Sequence, residues 1–355
     1  MAIRCCFLLL SGVTLLVLPF SPRSIAVPVA KDAKATEWTM YGGTTHRNMI
    51  NTVDRGTPSA WSDDPDTRFN IIWKGVLGSR TYTCPVVVGG RVFVGANNEN
   101  PRNRRDLREV PNELPEPVDK GILMCFGAKN GEFLWQAVHD KLASGLVNDW
   151  PREGLPCTPT VDSGRVYYVS NRGEVVCADF NGFLDGRNDG ATDEMYTDKT
   201  DADFIWRFDM PKELKVFPHN MSHCSPLIVG DRLFVCTSNG VDEGHINIPA
   251  PEAPSFIALD KNTGKLLWKS NLPGKNIMHG QWASPAYGVI QNVPQVIFPA
   301  GDGWLYAFKP ESGELLWKFD ANPKDAKYNL GGQGTRSDFI GAPVIYKERV
   351  FIGVG

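Results

Sequence analysis

A four-strand sequence pattern recurs along the chain, and this internal repeat restricts the possible folds more than any other feature. Each copy opens with two small residues and a proline, then continues through a short apolar run, a turn and an alternating apolar strand. A glycine-containing turn between two short apolar runs indicates a β-hairpin. The openings are Thr83-Cys84-Pro85, Cys157-Thr158-Pro159, Cys224-Ser225-Pro226, Ala283-Ser284-Pro285 and Gly341-Ala342-Pro343.

The second half of the pattern is a strand, a glycine turn and a strand that ends in tryptophan. It appears at 125–135, 258–268 and 307–317, and in the second copy a polar insertion separates Cys177 from Trp206. Each copy therefore predicts four short antiparallel strands, the content of one propeller blade. The 35 glycines and 26 prolines suit such a turn-rich chain. We predict an all-β chain, a β-propeller of four-stranded antiparallel blades.

The spacing of the copies supports a modular array. The opening prolines are 74, 67, 59 and 58 residues apart, more than the ~40–50 residues of a lean blade. Polar insertions at 97–119, 182–203 and 240–254 account for the excess. Because a blade cannot cover both of its faces, neighbouring blades must stack. We predict repeats over 69–355, with blades at 81–138, 155–210, 222–272 and 281–322 and a partial one at 338–355.

The N-terminal segment has the features of an export signal. Arg4 precedes an apolar run from Cys5 to Phe20, and Ser24-Ile25-Ala26 supplies small residues for cleavage. We predict a signal peptide over 1–26, a lead-in segment over 27–68, and a mature protein without a membrane span in the periplasm or cell exterior. An uncut N-terminal membrane anchor is the alternative. The net charge of −3 provides no global basic face, so we predict no nucleic-acid partner.

The segment Ala258-Leu259-Asp260-Lys261-Asn262-Thr263-Gly264-Lys265-Leu266-Leu267-Trp268, together with the opening Trp38-Thr39-Met40-Tyr41-Gly42-Gly43, resembles the PQQ-like repeat family of bacterial β-propellers. The resemblance implies a ring of seven or eight blades, so about 4.5 blades are expected here, an incomplete ring truncated at its C-terminus. Segment 69–74 resembles a fourth strand whose own blade is not in the sequence. The resemblance also implies that one tryptophan of each unit packs between blades: Trp73, Trp135, Trp206, Trp268 and Trp317.

The family includes two kinds of protein. Quinoprotein dehydrogenases hold pyrroloquinoline quinone beside calcium under a disulfide between adjacent cysteines, whereas barrel-assembly scaffolds of the outer membrane bind no quinone. The only adjacent pair here is Cys5-Cys6, within the predicted signal. We therefore predict a non-catalytic binding or scaffold module with no catalytic residues and no cofactor. A dehydrogenase that uses quinone and calcium to oxidise alcohols or sugars is the alternative.

The remaining cysteines and acidic loops do not predict a metal site. Cysteines at 84, 125, 157, 177, 224 and 236 occupy positions that hold small residues in other copies, which favours packing, although disulfides remain open. No two of them have the CxxC spacing of a zinc site. The loop 185–190 has the oxygen-rich look of a calcium loop, but Arg187 stands where a ligand should be. We therefore predict an acidic surface loop there.

Polar and aromatic residues precede the openings of several copies. In a propeller the first strand of each blade lines the central channel, so these residues should surround its mouth. Aromatic area with histidine or glutamine groups for orientation suits a binding site for a protein, peptide or saccharide. Mutual satisfaction of these side chains is the alternative. The predicted contacts are Tyr82, His219, His223, His279, Gln281, Trp282 and Phe339.

Overall fold

A computed structural model describes residues 37–354, so the predicted signal peptide lies outside the described residues. The architecture is all-β, as predicted: four four-stranded antiparallel sheets follow one another along the chain, and a two-stranded hairpin comes after them. Among the described residues, no helix has the length and apolar character needed to cross a bilayer. The first strands of successive sheets pack on one another, so they form the inner ring.

The elements follow the order of the repeat. The first sheet and a small ribbon inserted in it (β3–β4) contain β1 (Val86–Val88), β2 (Arg91–Asn97), β3 (Leu107–Arg108), β4 (Glu116–Pro117), β5 (Lys120–Gly127) and β6 (Phe133–Asp140). The second sheet contains β7 (Thr160–Asp162), β8 (Arg165–Val169), β9 (Glu174–Asp179) and β10 (Phe204–Asp209), and α1 (Met210–Leu214) follows it. The third contains β11 (Leu227–Val229), β12 (Arg232–Cys236), β13 (Phe256–Asp260) and β14 (Leu266–Ser270). The fourth contains β15 (Ala286–Ile290), β16 (Val293–Pro299), β17 (Trp304–Phe308) and β18 (Leu315–Asp320), and the hairpin is β19 (Val344–Tyr346) and β20 (Arg349–Phe351).

One cross-strand row recurs in every sheet and explains why cysteine and alanine exchange at one position. In the first sheet Cys125 lies between Phe93 and Trp135. The small residue lets the two aromatic rings meet across it, with centroids 5.8 Å apart. The equivalent rows are Tyr167–Cys177–Trp206, Phe234–Ala258–Trp268 and Ile297–Ala307–Trp317. The described cysteines are free.

Four of the five predicted tryptophans dock on the glycine turn of the following unit. The Trp206 indole N–H donates to Lys261 O at 3.0 Å, and a Cβ on Gly264 would lie 2.7 Å from the Trp206 ring. Glycine is needed there because its φ is +71° and because the ring occupies the space of a side chain. The same bond joins Trp73 to Ala128, Trp135 to Phe180 and Trp268 to Pro310. Trp317 instead donates to Gln295 of its own sheet.

The small-small-proline openings carry a hydrogen-bond relay around the inner ring. The Cys84 N–H donates to Thr158 Oγ1 at 2.9 Å. In turn, the Thr158 N–H donates to Ser225 Oγ at 3.1 Å, and the Ser225 N–H donates to Ser284 Oγ at 2.9 Å. The hydroxyls of Thr158, Ser225 and Ser284 therefore join neighbouring units, because each accepts from a backbone N–H that would otherwise be buried without a partner. The relay stops at Ser284, because the equivalent residue of the next opening is Ala342, which has no hydroxyl.

The lead-in segment contacts every unit. Its backbone bonds to the first strands of the first, second and fourth sheets and of the final hairpin, through Trp38, Thr39, Thr45 and His46. Arg47 is 1% exposed, and its guanidinium donates to carbonyls of the third and fourth units, Ser225, Pro226 and Pro285. Segment 38–47 thus acts as a hub across the inner ring.

The segment 69–74, whose partner blade was expected to lie outside this sequence, forms no strand within residues 37–354. In that segment only Phe69 forms a bridge, to Ser62. No strand among residues 37–354 lies beside it to receive its N–H and C=O groups, so no ladder forms. The segment is held by Trp73, whose ring stacks on Phe126.

Candidate functional site

The candidate site lies at the mouth of the inner ring, just before the first strands. Five of the seven predicted side chains meet there in a continuous row of rings. Tyr82 and His223 are 6.4 Å apart, as are His223 and Trp282, and Trp282 meets His279 edge to face at 5.0 Å. The row ends at His219, whose ring centroid lies 4.5 Å from that of His279.

The other two predicted contacts do not reach this surface. Gln281 is buried, and its side-chain amide donates to Ser255 Oγ at 2.7 Å and to Asn239 O at 3.2 Å. Phe339 is fully buried in the apolar cluster of the fourth sheet and the final hairpin. Both side chains face protein neighbours, which is the alternative that the sequence left open.

A residue that the sequence did not single out, His245, joins the histidines. It lies in the insertion at 240–254, whose path is fixed by a tight turn. The Asp242 carboxylate accepts from the N–H of Ile246 at 2.9 Å and from the Asn247 amide at 2.8 Å. This turn returns the His245 ring to His279, with the two Nε2 atoms 3.0 Å apart. In the sequence, only its residue type could have indicated His245 as a site residue, because its spacing from the other histidines matches no motif.

Backbone carbonyls fix the protonation pattern of two of these imidazoles. His219 Nδ1 is 2.8 Å from Val241 O, and His245 Nδ1 is 3.0 Å from Glu243 O. A carbonyl oxygen only accepts, so each Nδ1 carries the hydrogen and each Nε2 carries a lone pair. Burial lowers the pKa of His219 to about 4 and also lowers the pKa of His279. The rings of His219 and His279 are therefore neutral near pH 7.

The rim of the mouth is aromatic and accessible. Tyr82 is 56% exposed and Trp150 is 41% exposed. The Trp150 N–H donates to Asn220 O at 2.8 Å, which holds the loop at 145–150 against the segment that carries His219. Arg80 and Glu153 form an ion pair beside the rim, and a hydrogen bond to Glu153 raises the pKa of Tyr82.

The acidic loop predicted at 185–190 brings three carboxylates together. Oxygens of Asp179, Asp185 and Asp189 lie within 4.8 Å of one another. Two of these carboxylates already cap their own turns, since Asp179 accepts from the Asn181 N–H at 2.7 Å and Asp185 accepts from the Arg187 N–H at 3.0 Å. Turn capping accounts for this arrangement.

A second cavity, of about 270 Å³, lies between the first and second sheets. On its wall the His139 Nε2 is 2.8 Å from the Tyr168 hydroxyl, and His139 Nδ1 is 4.0 Å from Glu174. Burial, together with the charges of Arg172 and Arg207, lowers the pKa of His139 to about 3, while the charge of Asp140 opposes this shift. His139 is thus held neutral within the fold.

This neutral histidine makes the fold sensitive to acid. Because the unfolded chain protonates His139 near pH 6.5 and the folded chain only near pH 3, stability is lost as the pH falls below about 6.5. We expect His139 to contribute about 2 kcal/mol of that loss at pH 5. Urea unfolding of His139→Gln at pH 7 and pH 5 should show a smaller loss than wild type. His46→Gln, at an exposed position, is the control, and an unchanged loss in His139→Gln would contradict the assignment.

Comparison with known proteins identifies similar chains. Residues 194–353 match the family model described as outer membrane protein assembly factor BamB. The quinone-dependent alcohol dehydrogenase, dehydrogenase subunit, of Gluconobacter oxydans (strain 621H) is 39% identical over 101 residues, which is 28% of this chain and 13% of that subunit. The corresponding subunit of Gluconacetobacter polyoxogenes is 38% identical over the same length.

Two solved structures are similar at low identity. BamB from Moraxella catarrhalis is 15% identical with a TM-score of 0.40, and the match covers 79% of this chain and 58% of that one. A europium-containing methanol dehydrogenase is 13% identical with a TM-score of 0.49, over 83% of this chain and 50% of that one. The chain thus spans about half the length of these structures.

Proposed function

Since the chain is a PQQ-like repeat β-propeller protein related to BamB and to quinoprotein alcohol dehydrogenases, we propose that it is an exported, non-catalytic binding or scaffold module. It takes a protein, peptide or saccharide partner over the mouth of the inner ring and the adjacent inserted loops. The observation that carries this proposal is the accessible aromatic rim of Tyr82 and Trp150, which lies beside the row of histidine rings.

The composition of the rim suits recognition. Tyrosine and tryptophan supply large contact areas at low conformational-entropy cost, and they dominate the binding energy of many interfaces. The Arg80–Glu153 pair and His223 provide polar groups that can orient a partner. Because the hub segment 38–47 crosses the inner ring, a partner would rest on the mouth rather than thread through the ring.

Removal of the rim aromatics should weaken partner binding about 10-fold or more, since each is expected to contribute about 1 kcal/mol or more. The double variant Tyr82→Ala/Trp150→Ala would be compared with wild type on arrays of extended peptides and of oligosaccharides. Trp61→Ala removes a 68% exposed aromatic of the lead-in segment and is the matched control. Equal binding by wild type and the double variant, or no binding by wild type to either array, would count against the proposal.

A quinone-dependent dehydrogenase is the second candidate, favoured by the 39% identity to the Gluconobacter subunit over 101 residues. The residues present do not fit the quinone. The described cysteines are six separate free residues, none adjacent to another, and the buried Arg47 guanidinium already holds the inner carbonyls of two units. Reconstitution of the full chain with the quinone and calcium, followed by a dye-reduction assay with alcohols and sugars, tests this directly. Oxidation of an alcohol or a sugar in this assay would support the dehydrogenase function and would contradict the non-catalytic binding proposal.

A further inference from the structure

We propose that His219, His245 and His279 form a binding site for a divalent transition-metal ion of the zinc and copper class. One ring nitrogen from each of the three imidazoles lies within 4.8 Å of the chosen ring nitrogens of the other two. Tetrahedral bonds of about 2.0–2.1 Å to nitrogen place the donor atoms about 3.4 Å apart. The His245 and His279 Nε2 atoms, which share a hydrogen bond, are 3.0 Å apart and so already lie near that separation.

The lone pairs are oriented by groups outside the cluster. Val241 O and Glu243 O accept hydrogen bonds from Nδ1 of His219 and His245, which leaves a lone pair on each Nε2 atom. The His245 lone pair accepts a hydrogen bond from His279 Nε2, and a metal ion would replace that hydrogen. Metal-bound histidines almost always use their other ring nitrogen in this way, because it fixes the tautomer and the direction of the ring. The cluster therefore has both ligands and their supporting acceptors.

One ligand atom has no other role. His219 is 1% exposed, and its Nε2 atom is buried without a hydrogen-bond partner. A buried polar atom without a partner requires an explanation, and a bound ion is one of the few available. The rings beside this Nε2 atom are the imidazoles of His245 and His279. All three rings could therefore coordinate the same ion.

The backbone is packed tightly around the cluster. A Cβ on Gly240 would lie 2.6 Å from His219 Cβ and from His279 O. A Cβ on Gly331 would lie 2.7 Å from His245 O. On the other side, the Trp282 indole N–H donates to His219 O at 2.9 Å. The segments that carry Gly240, Trp282 and Gly331 thus hold the three histidines in position, so little side-chain ordering is needed for a metal ion to bind.

The ligand chemistry selects the class of ion. Neutral imidazoles suit zinc, copper, nickel and similar ions, whereas calcium and magnesium prefer oxygen ligands. Three protein nitrogens leave at least one coordination position for water or for a group of a bound partner.

Titration of the chelator-treated full chain with Zn²⁺, and separately with Cu²⁺, tests the site. We expect one ion per chain, nitrogen hyperfine coupling in the Cu²⁺ spectrum, and a higher melting temperature with Zn²⁺. His245→Ala, in a half-exposed insertion, and His279→Ala should each lower affinity by about 100-fold or more. His223→Ala and His46→Ala are the matched controls and should bind as wild type does.

Three results would overturn the inference. They are the absence of tight binding by wild type, unchanged affinity in His245→Ala, and loss of binding on alkylation of the cysteines. A melt of each variant without metal shows whether the variant is folded, and His245→Ala allows a test even if His279→Ala does not fold. Because the titration uses the metal alone, its outcome is independent of the partner-binding arrays.

Discussion

Replacement of Trp135 by alanine should lower the free energy of unfolding by about 4 kcal/mol, because it removes a fully buried ring that joins two sheets. The ring packs on Phe93 of its own sheet at a centroid distance of 5.8 Å. Its indole N–H donates to Phe180 O of the next unit at 3.1 Å. Urea unfolding with an unchanged m value would measure the loss.

Trp317→Ala is the matched control for this loss. It removes the same ring at the equivalent place of the fourth sheet, where the indole donates only to Gln295 within that sheet. No glycine turn of a following unit covers Trp317 in residues 37–354. We therefore expect Trp317→Ala to lower the free energy of unfolding by about 1–2 kcal/mol, because the ring is only partly buried and less apolar area is lost. Equal losses at the two positions would mean that docking between units contributes little.

Two glycines separate the steric part of this contact from backbone strain. Gly264 and Gly164 both have positive φ, of +71° and +76°, so alanine strains both backbones alike. Only at Gly264 would the new Cβ meet the indole of Trp206, whereas nothing lies within 4 Å of it at Gly164. The additional loss in Gly264→Ala over Gly164→Ala, about 1–3 kcal/mol, therefore reports the docked tryptophan.

The sequence predicted the sheets well because their determinants are local. Period-two patterning and glycine turns place each strand, and the small residue opposite a tryptophan, as in Ala258 and Trp268, sets the register. Segment 69–74 forms no strand within residues 37–354 because a strand also requires a neighbouring strand, and its expected partner blade is not in the sequence. Its tryptophan docks all the same, since that contact needs only the glycine turn at Gly131.

The candidate site was predicted only in part, for a related reason. Tyr82, His223 and Trp282 hold equivalent places in the repeat, so the period brings them together. His245 lies in an insertion that has no counterpart in other units, and its position depends on the turn made by Asp242. Gln281 and Phe339 precede an opening as the others do, but their neighbours bury them. Periodicity locates a backbone position and leaves side-chain exposure undetermined.

The role of Arg47 could not be read from the sequence, because its partners are backbone carbonyls that leave no trace in residue type. Its guanidinium donates to Pro285 O at 3.0 Å, to Pro226 O at 3.2 Å and to Ser225 O at 3.3 Å. It also donates to Tyr41 O at 2.5 Å. Burial lowers the pKa of Arg47 to about 10, so the group remains charged at neutral pH and depends on these acceptors.

Arg47→Met should therefore destabilise the chain by about 3–5 kcal/mol, since it leaves buried carbonyls without a donor at the point where the lead-in segment meets two units. Backbone strain does not enter, because arginine and methionine are both unbranched at Cβ and share the φ of +57°. Arg47→Lys should lose less, as a single ammonium can satisfy only some of the acceptors. Arg55→Met, at an exposed position of the same segment, should change stability by less than about 0.5 kcal/mol. If Arg47→Met unfolds in urea at the same midpoint as Arg55→Met, segment 38–47 only lies on the inner ring and does not hold the units together.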